Sequence, residues 1–120
     1  MLHHIILEVS DLPRSATFYD SLLSPLGWRR HVNGTDAIGY GISRPILFIT
    51  ERTGVRAEGT QVSLGAPGIA AVKAAWEGGT NSGGTNVAQP GETTGHGSGS
   101  YSAFLRDPDG HDIEITVSQD

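Results

Sequence analysis

Residues 60–76, TQVSLGAPGIAAVKAAW, repeat the pattern of residues 3–19, HHIILEVSDLPRSATFY. When the chain is shifted by 57 positions, five apolar positions coincide without a gap. The matching pairs are Ile5 with Val62, Leu7 with Leu64, Val9 with Ala66, Leu12 with Ile69, and Tyr19 with Trp76. An internal repeat predicts two copies of one supersecondary unit, and it constrains the architecture more firmly than the propensity of any single segment.

The repeated segment begins with a strand and continues into a helix. In the first copy Ile5, Leu7 and Val9 alternate with residues of mixed polarity, which predicts a strand with one apolar face. Ser10 or Asp11 is the candidate N-cap of the helix, because a proline in the first turn and apolar residues at helical spacing follow.

Three short strands complete the first copy. Glycine, asparagine and proline separate them in the manner of antiparallel strands, and they span residues 29–34, 37–42 and 44–51.

The second copy has the same order, with a helix that ends in EGG at residues 77–79 and a glycine-rich loop at residues 81–100. Its last strands are residues 101–106 and 111–117, and residues 85–91 are expected to form its weakest strand. The predicted fold class is α+β, with two βαβββ modules that form one curved mixed sheet with the helices outside. The chain is expected to be a single domain, with module one at about residues 1–56 and module two at about residues 57–120.

Composition excludes several classes of site and partner. The chain has no cysteine, which rules out disulfides, thiolate catalysis and zinc–sulfur sites, so a metal would be held by His, Asp, Glu or an amide oxygen. A net charge of −5 and eight scattered basic residues give no positive stripe for nucleic acid. No apolar run reaches the roughly 20 residues of a membrane span, and no signal peptide is recognisable at the N-terminus. We therefore expect a cytoplasmic protein with neither nucleic acid nor a membrane as partner.

Polar residues are expected on the sheet face that the helices leave uncovered. His4 and Gln61 occupy equivalent positions of the repeat, next to the apolar positions of their strands. Glu114 alternates with apolar neighbours on the last strand, and Phe48 is its approximate counterpart in module one. A buried carboxylate costs several kcal/mol unless a partner compensates its charge. Convergence of these side chains predicts a cup-shaped site.

The sequence resembles the vicinal oxygen chelate superfamily, which includes glyoxalase I, fosfomycin-resistance thiol transferases, extradiol dioxygenases, methylmalonyl-CoA epimerase and bleomycin-binding proteins. Its most specific pieces are a histidine at the start of the first strand, the helix entry DLPRSATFY at residues 11–19, and the ending DPDGHDIE at residues 107–114. The resemblance covers essentially the whole chain and implies the glyoxalase-like fold.

The resemblance also implies a divalent metal ion held by His4, Gln61 and Glu114. His4 matches the ligand of the first module and Glu114 the final carboxylate, while Gln61 stands where many members have a second histidine. Phe48 stands where glyoxalase I has another carboxylate, so the chain departs from the four-ligand pattern. Imidazole and carboxylate suit Zn, Ni, Mn, Fe or Co, whereas an amide oxygen is a poorer donor. Single-domain members are commonly homodimers, in which His4 of one subunit would meet Gln61 and Glu114 of the other.

Two functions are therefore considered. The first is a metal-dependent lyase or isomerase, similar to lactoylglutathione lyase, that acts on a small oxygenated substrate with Glu114 as metal ligand and base. The second is a metal-free bleomycin-resistance-type protein that sequesters a small amphipathic molecule; dioxygenase or thiol transferase activity belongs to the same superfamily. Nothing in the sequence indicates a glutathione site.

The remaining candidates have both structural and functional interpretations. Phe48, Tyr101 and Phe104 are expected to line the cup, with His96 in a loop that could fold over it. Glu114 could instead pair with Arg44 or Arg106. Residues 107–110 form a turn whose acids are expected to be solvated, with His111 exposed beside them.

Overall fold

The computed structural model describes residues 1–93 and 99–118 and contains two βαβββ modules. Module one consists of β1 (Ile5–Val9), α1 (Leu12–Leu23), a short 3₁₀ turn, β2 (Arg29–Asn33), β3 (Ala37–Gly41) and β4 (Leu47–Glu51). Module two consists of β5 (Gln61–Gly65), α2 (Ile69–Thr80), β6 (Thr85–Thr93), β7 (Ser100–Arg106) and β8 (Asp112–Ser118). The α+β class and the repeat predicted from the sequence are confirmed.

Each module forms its own four-stranded mixed sheet. The strand orders are β1-β4-β3-β2 and β5-β8-β7-β6, so the repeat extends to the topology. In each sheet the first strand pairs in parallel with the last strand of its module, and the other pairs are antiparallel. The expected single curved sheet is therefore divided into two hydrogen-bonded sheets within the described ranges, and β1 and β5 are edge strands.

The two helices have the same length but begin and pack differently. Asp11, and not Ser10, caps α1 by accepting a hydrogen bond from the backbone N of Arg14 at 3.1 Å. Helix α2 has no side-chain cap, and it ends at Thr80, one residue beyond the predicted end in EGG. Each helix has 12 residues, and no helix in residues 1–93 or 99–118 is long and apolar enough to cross a membrane.

A single hydrophobic core holds the two modules together. It contains residues from both helices and from both sheets, with Phe18 and Leu22 of α1 close to Gly79 of α2 and Leu105 of β7. The helix-covered faces of both sheets therefore contribute to one shared core. The opposite face of each sheet, called its open face below, looks away from that core.

A buried polar network joins module one to the turn between β7 and β8. Asp107 Oδ2 accepts a hydrogen bond from the Tyr19 hydroxyl at 2.6 Å and lies 2.7 Å from His111 Nδ1. Asp107 Oδ1 accepts hydrogen bonds from two backbone N–H groups of the same turn, those of Asp109 and His111. Asp107 and His111 are each only 2% exposed, so the expectation of a solvated Asp107 and an exposed His111 was wrong. The exposure of this turn was predicted wrongly because the turn packs against α1, and the turn sequence alone does not indicate that contact.

Candidate functional site

The open face of module two carries three rows of side chains that cross β5, β8 and β7. The strand pairing defines the rows as Gln61, Asp112 and Arg106; Ser63, Glu114 and Phe104; and Gly65, Thr116 and Ser102. Successive rows are two residues apart, or about 6.6 Å along a strand. Glu114, Gln61 and Phe104, all predicted from the sequence, therefore share this face.

Glu114 is a buried carboxylate in the middle row. It is 5% exposed, and its Oε1 accepts a hydrogen bond from Ser63 Oγ at 2.8 Å. Arg44 donates instead to a backbone carbonyl of module one, and Arg106 to a different carboxylate. Neither arginine is thus the partner of Glu114, and its Oε2 accepts no hydrogen bond from the part of the chain that the structure describes. A buried carboxylate in this state is suited to bind a cation.

Hydroxyl groups on this face were missed by the sequence analysis. Ser63 is two residues after Gln61 and thus shares its face, so the period of two along a strand was the signal that could have identified it. Ser102 Oγ and Thr116 Oγ1 lie 2.7 Å apart in the next row, and Ser102 is 2% exposed. These groups make the face beside Glu114 polar.

A pocket of about 280 Å³ lies at one end of the open face of module two. Gln61 and Phe104 line it together with Val87, and Arg106 and Asp112 lie at its border as an ion pair. The pocket therefore brings together two predicted site residues and adds a charged group that was not predicted to bind a ligand.

The open face of module one is mainly apolar and aromatic. The ring of His4 packs edge to face on Phe48, with 5.5 Å between the centroids, and its Nδ1 lies 2.8 Å from Nδ1 of His3. Ile6, in the same row as Phe48, is 58% exposed. Phe48 can lie close to the sheet because its neighbour on β3 is Gly39, where a Cβ would approach the ring to 2.7 Å.

The other predicted ligand-binding residues do not join this site. Tyr101 is an odd number of residues from Phe104 and lies on the helix-covered side of β7, where Lys73 Nζ is 6.0 Å from its ring centroid. The placement of Tyr101 in one cup with Phe104 is thus corrected. His96 lies outside the described residues.

His4 and Glu114 lie in different modules of the chain. His4 packs on Phe48 in module one, whereas Glu114 accepts a hydrogen bond from Ser63 in module two. No group of three or more His, Asp or Glu residues that could hold a metal occurs within residues 1–93 and 99–118.

The sequence matches the profile of the Glyoxalase/Bleomycin resistance protein/Dioxygenase superfamily over residues 1–115. The chain belongs to this superfamily. No curated protein matches the chain. The superfamily contains enzymes as well as binding proteins, so membership alone leaves the activity open.

Solved structures of several other proteins have the same fold. A glyoxalase/bleomycin resistance protein from Albidiferax ferrireducens T118 is 29% identical, with a TM-score of 0.85 over 95% of this chain and 96% of that one. A hypothetical protein from S. aureus is 26% identical, with a TM-score of 0.72 over 95% and 94% of the two chains. A glyoxalase-related enzyme from Fulvimarina pelagi, at 23% identity, has a TM-score of 0.73 over 98% and 88%, and this likeness concerns the fold alone.

Proposed function

We propose that this protein is a metal-dependent enzyme of the glyoxalase type, a lyase or isomerase that acts on a small oxygenated substrate. The observation that supports this proposal is the state of Glu114. This carboxylate is buried, one oxygen is oriented by Ser63, and the other has no donor within the described residues. Burial without a compensating positive charge is unfavourable by several kcal/mol, and a divalent cation removes that cost.

His4, Gln61 and Glu114 would hold the ion. Their imidazole nitrogen, amide oxygen and carboxylate oxygen form a donor set that suits a divalent ion of the Zn, Ni, Mn, Fe or Co type. The Nδ1 of His4 is occupied by His3, which leaves Nε2 for a metal. Because His4 lies in module one and Gln61 and Glu114 lie in module two, the complete set would form in a homodimer, with His4 from one subunit and the other two ligands from its partner.

The residues of the chain would have separate tasks in the reaction. Glu114, once detached from the ion, would take a proton from the substrate carbon next to a carbonyl, whose oxygen would receive the electron pair, and would then return the proton to the product. Ser63 would keep the carboxylate oriented by donating to Oε1. Phe104 and Phe48 would pack against apolar parts of the substrate and exclude water. A bound divalent metal supplies a Lewis acid that polarises substrate oxygens.

Metal content tests this proposal. Protein dialysed against Ni, Zn, Mn, Fe and Co, and then against metal-free buffer, should retain close to one ion per site by elemental analysis. Glu114→Gln should lose this ion, whereas Glu58→Gln, which changes an exposed carboxylate in the loop before β5, should keep it. Retention at background level in the unmodified protein would refute the proposal.

The open face of module one supports a second candidate, a metal-free protein that sequesters an amphipathic molecule. Exposed Ile6 beside Phe48 offers an apolar surface that needs no metal to bind a ligand. The discriminating result is ligand binding that persists in His4→Ala and Glu114→Ala, together with a melting temperature that divalent ions do not change.

A further inference from the structure

Arg106 is positioned to bind an anionic group of a ligand. It ends β7 on the open face of module two, in the row next to that of Glu114 and Phe104. Among the described residues that line the 280 Å³ pocket, Arg106 carries the only positive charge. The pocket therefore has one cationic group at its border and the apolar side chains of Phe104 and Val87 in its wall.

One hydrogen bond orients the guanidinium of Arg106, and its terminal donors are not used by the described residues. Its Nε donates to Asp112 Oδ1 at 2.8 Å, a contact that holds the planar group across the strand pair. The terminal Nη1 and Nη2 make no hydrogen bond within residues 1–93 and 99–118. Arginine is well suited to bidentate binding of a carboxylate, because its N–H donors form a fixed fork. Asp112 thus occupies one donor and leaves the end of the fork available.

The spacing of Arg106 and Glu114 defines the length of a ligand that could reach both. Phe104 pairs with Glu114 and Arg106 pairs with Asp112, so Arg106 is the diagonal neighbour of Glu114. The backbones of diagonal neighbours in an antiparallel pair are roughly 7–8 Å apart. A short carbon chain spans a distance of this order, and Phe104, which is opposite Glu114 and two residues before Arg106, would lie beside it.

We propose that the substrate carries a carboxylate at the end opposite its reacting oxygens, and that Arg106 binds this carboxylate. The inference rests on the proposed function, because it places the reacting end of the molecule at Glu114. It adds the substrate class: a short oxo or hydroxy acid with a second carboxylate and an apolar middle. Arg106 is a binding residue and takes no part in proton transfer.

Two matched probes test this assignment. 2-Oxoadipate and 2-oxohexanoate share the chain length and the 2-oxo acid head, and they differ in that the first ends in a carboxylate and the second in a methyl group. Their dissociation constants are measured by titration calorimetry with protein of known metal content. We expect 2-oxoadipate to bind about tenfold more tightly, the factor that corresponds to 1.4 kcal/mol. Because Arg106 is half exposed, this preference should decrease as salt is added.

Substitutions of Arg106 test whether this side chain causes the preference for 2-oxoadipate over 2-oxohexanoate. In Arg106→Gln the two probes should bind equally well, and Arg106→Lys should retain part of the preference. Arg52→Gln is the matched control, since Arg52 is exposed on module one and, among the described residues, its side chain donates a hydrogen bond only to the backbone oxygen of Glu51. Circular dichroism checks that each variant is folded.

The outcomes separate this inference from the proposed function. Equal affinities in the unmodified protein, binding of neither probe, or a preference unchanged in Arg106→Gln would overturn the role of Arg106, even if the protein retains metal. A preference that Arg106→Gln abolishes in protein without metal would support the carboxylate site and refute the metal-dependent function.

Discussion

The position of Glu114 favours ligand binding but is unfavourable for the stability of the folded chain. Its carboxylate is buried on the open face of module two, where only Ser63 donates to it within the described residues. A neutral side chain of the same shape would avoid burial of a carboxylate without a compensating positive charge, so this position points to a role in binding.

Glu114→Gln should therefore stabilise the metal-free protein while it removes the metal site. The amide has the same shape, can accept from Ser63, and has no charge to bury, so we expect the free energy of unfolding to rise by about 1 kcal/mol in chelator-treated protein. Urea unfolding in EDTA measures this change. A loss of stability in the absence of metal would contradict the view that no described residue compensates the charge of Glu114.

His111 and Asp107 form the other residue pair with a measurable signature. The hydrogen bond with Asp107 raises the pKa of His111, although burial opposes the charged form of the ring. Burial disfavours the charge on Asp107 as well, but the hydrogen bonds from His111 and Tyr19 outweigh it and lower the pKa of that carboxyl. Both shifts favour the ionised pair.

Stability should depend on pH through this pair. The contribution of His111 is present in full below its unfolded pKa, about 6.5, and is lost as the pH rises through the higher folded value. The contribution of Asp107 is present above its unfolded pKa, about 3.9, and is lost as the pH falls through the lower folded value. We expect the pair to stabilise most between these limits. Urea unfolding from pH 5 to 9 should show a decline that is absent in His111→Gln and retained in His31→Gln.

At the scale of elements, glycines set the distance between the two helices. Gly78 lies inside α2, and a Cβ there would be 2.4 Å from the backbone oxygen of Ser21 in α1. Glycine is usually unfavourable in a helix compared with alanine, by roughly 0.5–1 kcal/mol. Here close packing of two backbones outweighs propensity, which explains why the last turn of α2 has glycine at position 78.

Gly78→Ala should consequently destabilise the protein, although alanine has the higher helix propensity. The added methyl group must push α1 and α2 apart, and overpacking of this kind costs about 1–3 kcal/mol. Gly65→Ala on β5 is the control, because a Cβ there meets nothing within 4 Å. Thermal unfolding of both variants gives the comparison, and equal melting temperatures would show that the helices can adjust without cost.

At the scale of the whole molecule, one core and one polar network join the two modules. The core includes both helices and both sheets, and the Tyr19 hydroxyl of module one donates to Asp107 of module two. Among residues 1–93 and 99–118, neither module has a separate core. We therefore expect residues 1–120 to unfold as one cooperative unit.

The two tryptophans of the chain allow this cooperativity to be measured. Trp28 follows the 3₁₀ turn of module one, and Trp76 lies in α2 of module two. In Trp28→Phe and Trp76→Phe, the remaining tryptophan reports on one module. Fluorescence and circular dichroism should give the same urea midpoint within each variant at equal protein concentration. Separate midpoints for fluorescence and circular dichroism would indicate that the modules unfold independently.

Local sequence patterns predicted much of the fold and part of the candidate site. The repeat of 57 positions predicted two βαβββ modules, and the alternation of strand residues placed Gln61 and Glu114 on one face. The same alternation could have excluded Tyr101 from that face and included Ser63. These features follow from the period of a strand or helix, which depends only on neighbours in the sequence.

Contacts between distant segments depended on the tertiary structure. The bond from Tyr19 to Asp107 joins residues 88 positions apart, and that from Ser63 to Glu114 joins residues 51 positions apart. The repeat makes His4 and Gln61 equivalent in sequence, but His4 precedes β1 in module one and Gln61 begins β5 in module two. By itself the sequence determined which side chains share a face. Only the packing of one module on the other decided which faces meet, because that arrangement depends on the fit of whole surfaces and not on any local period.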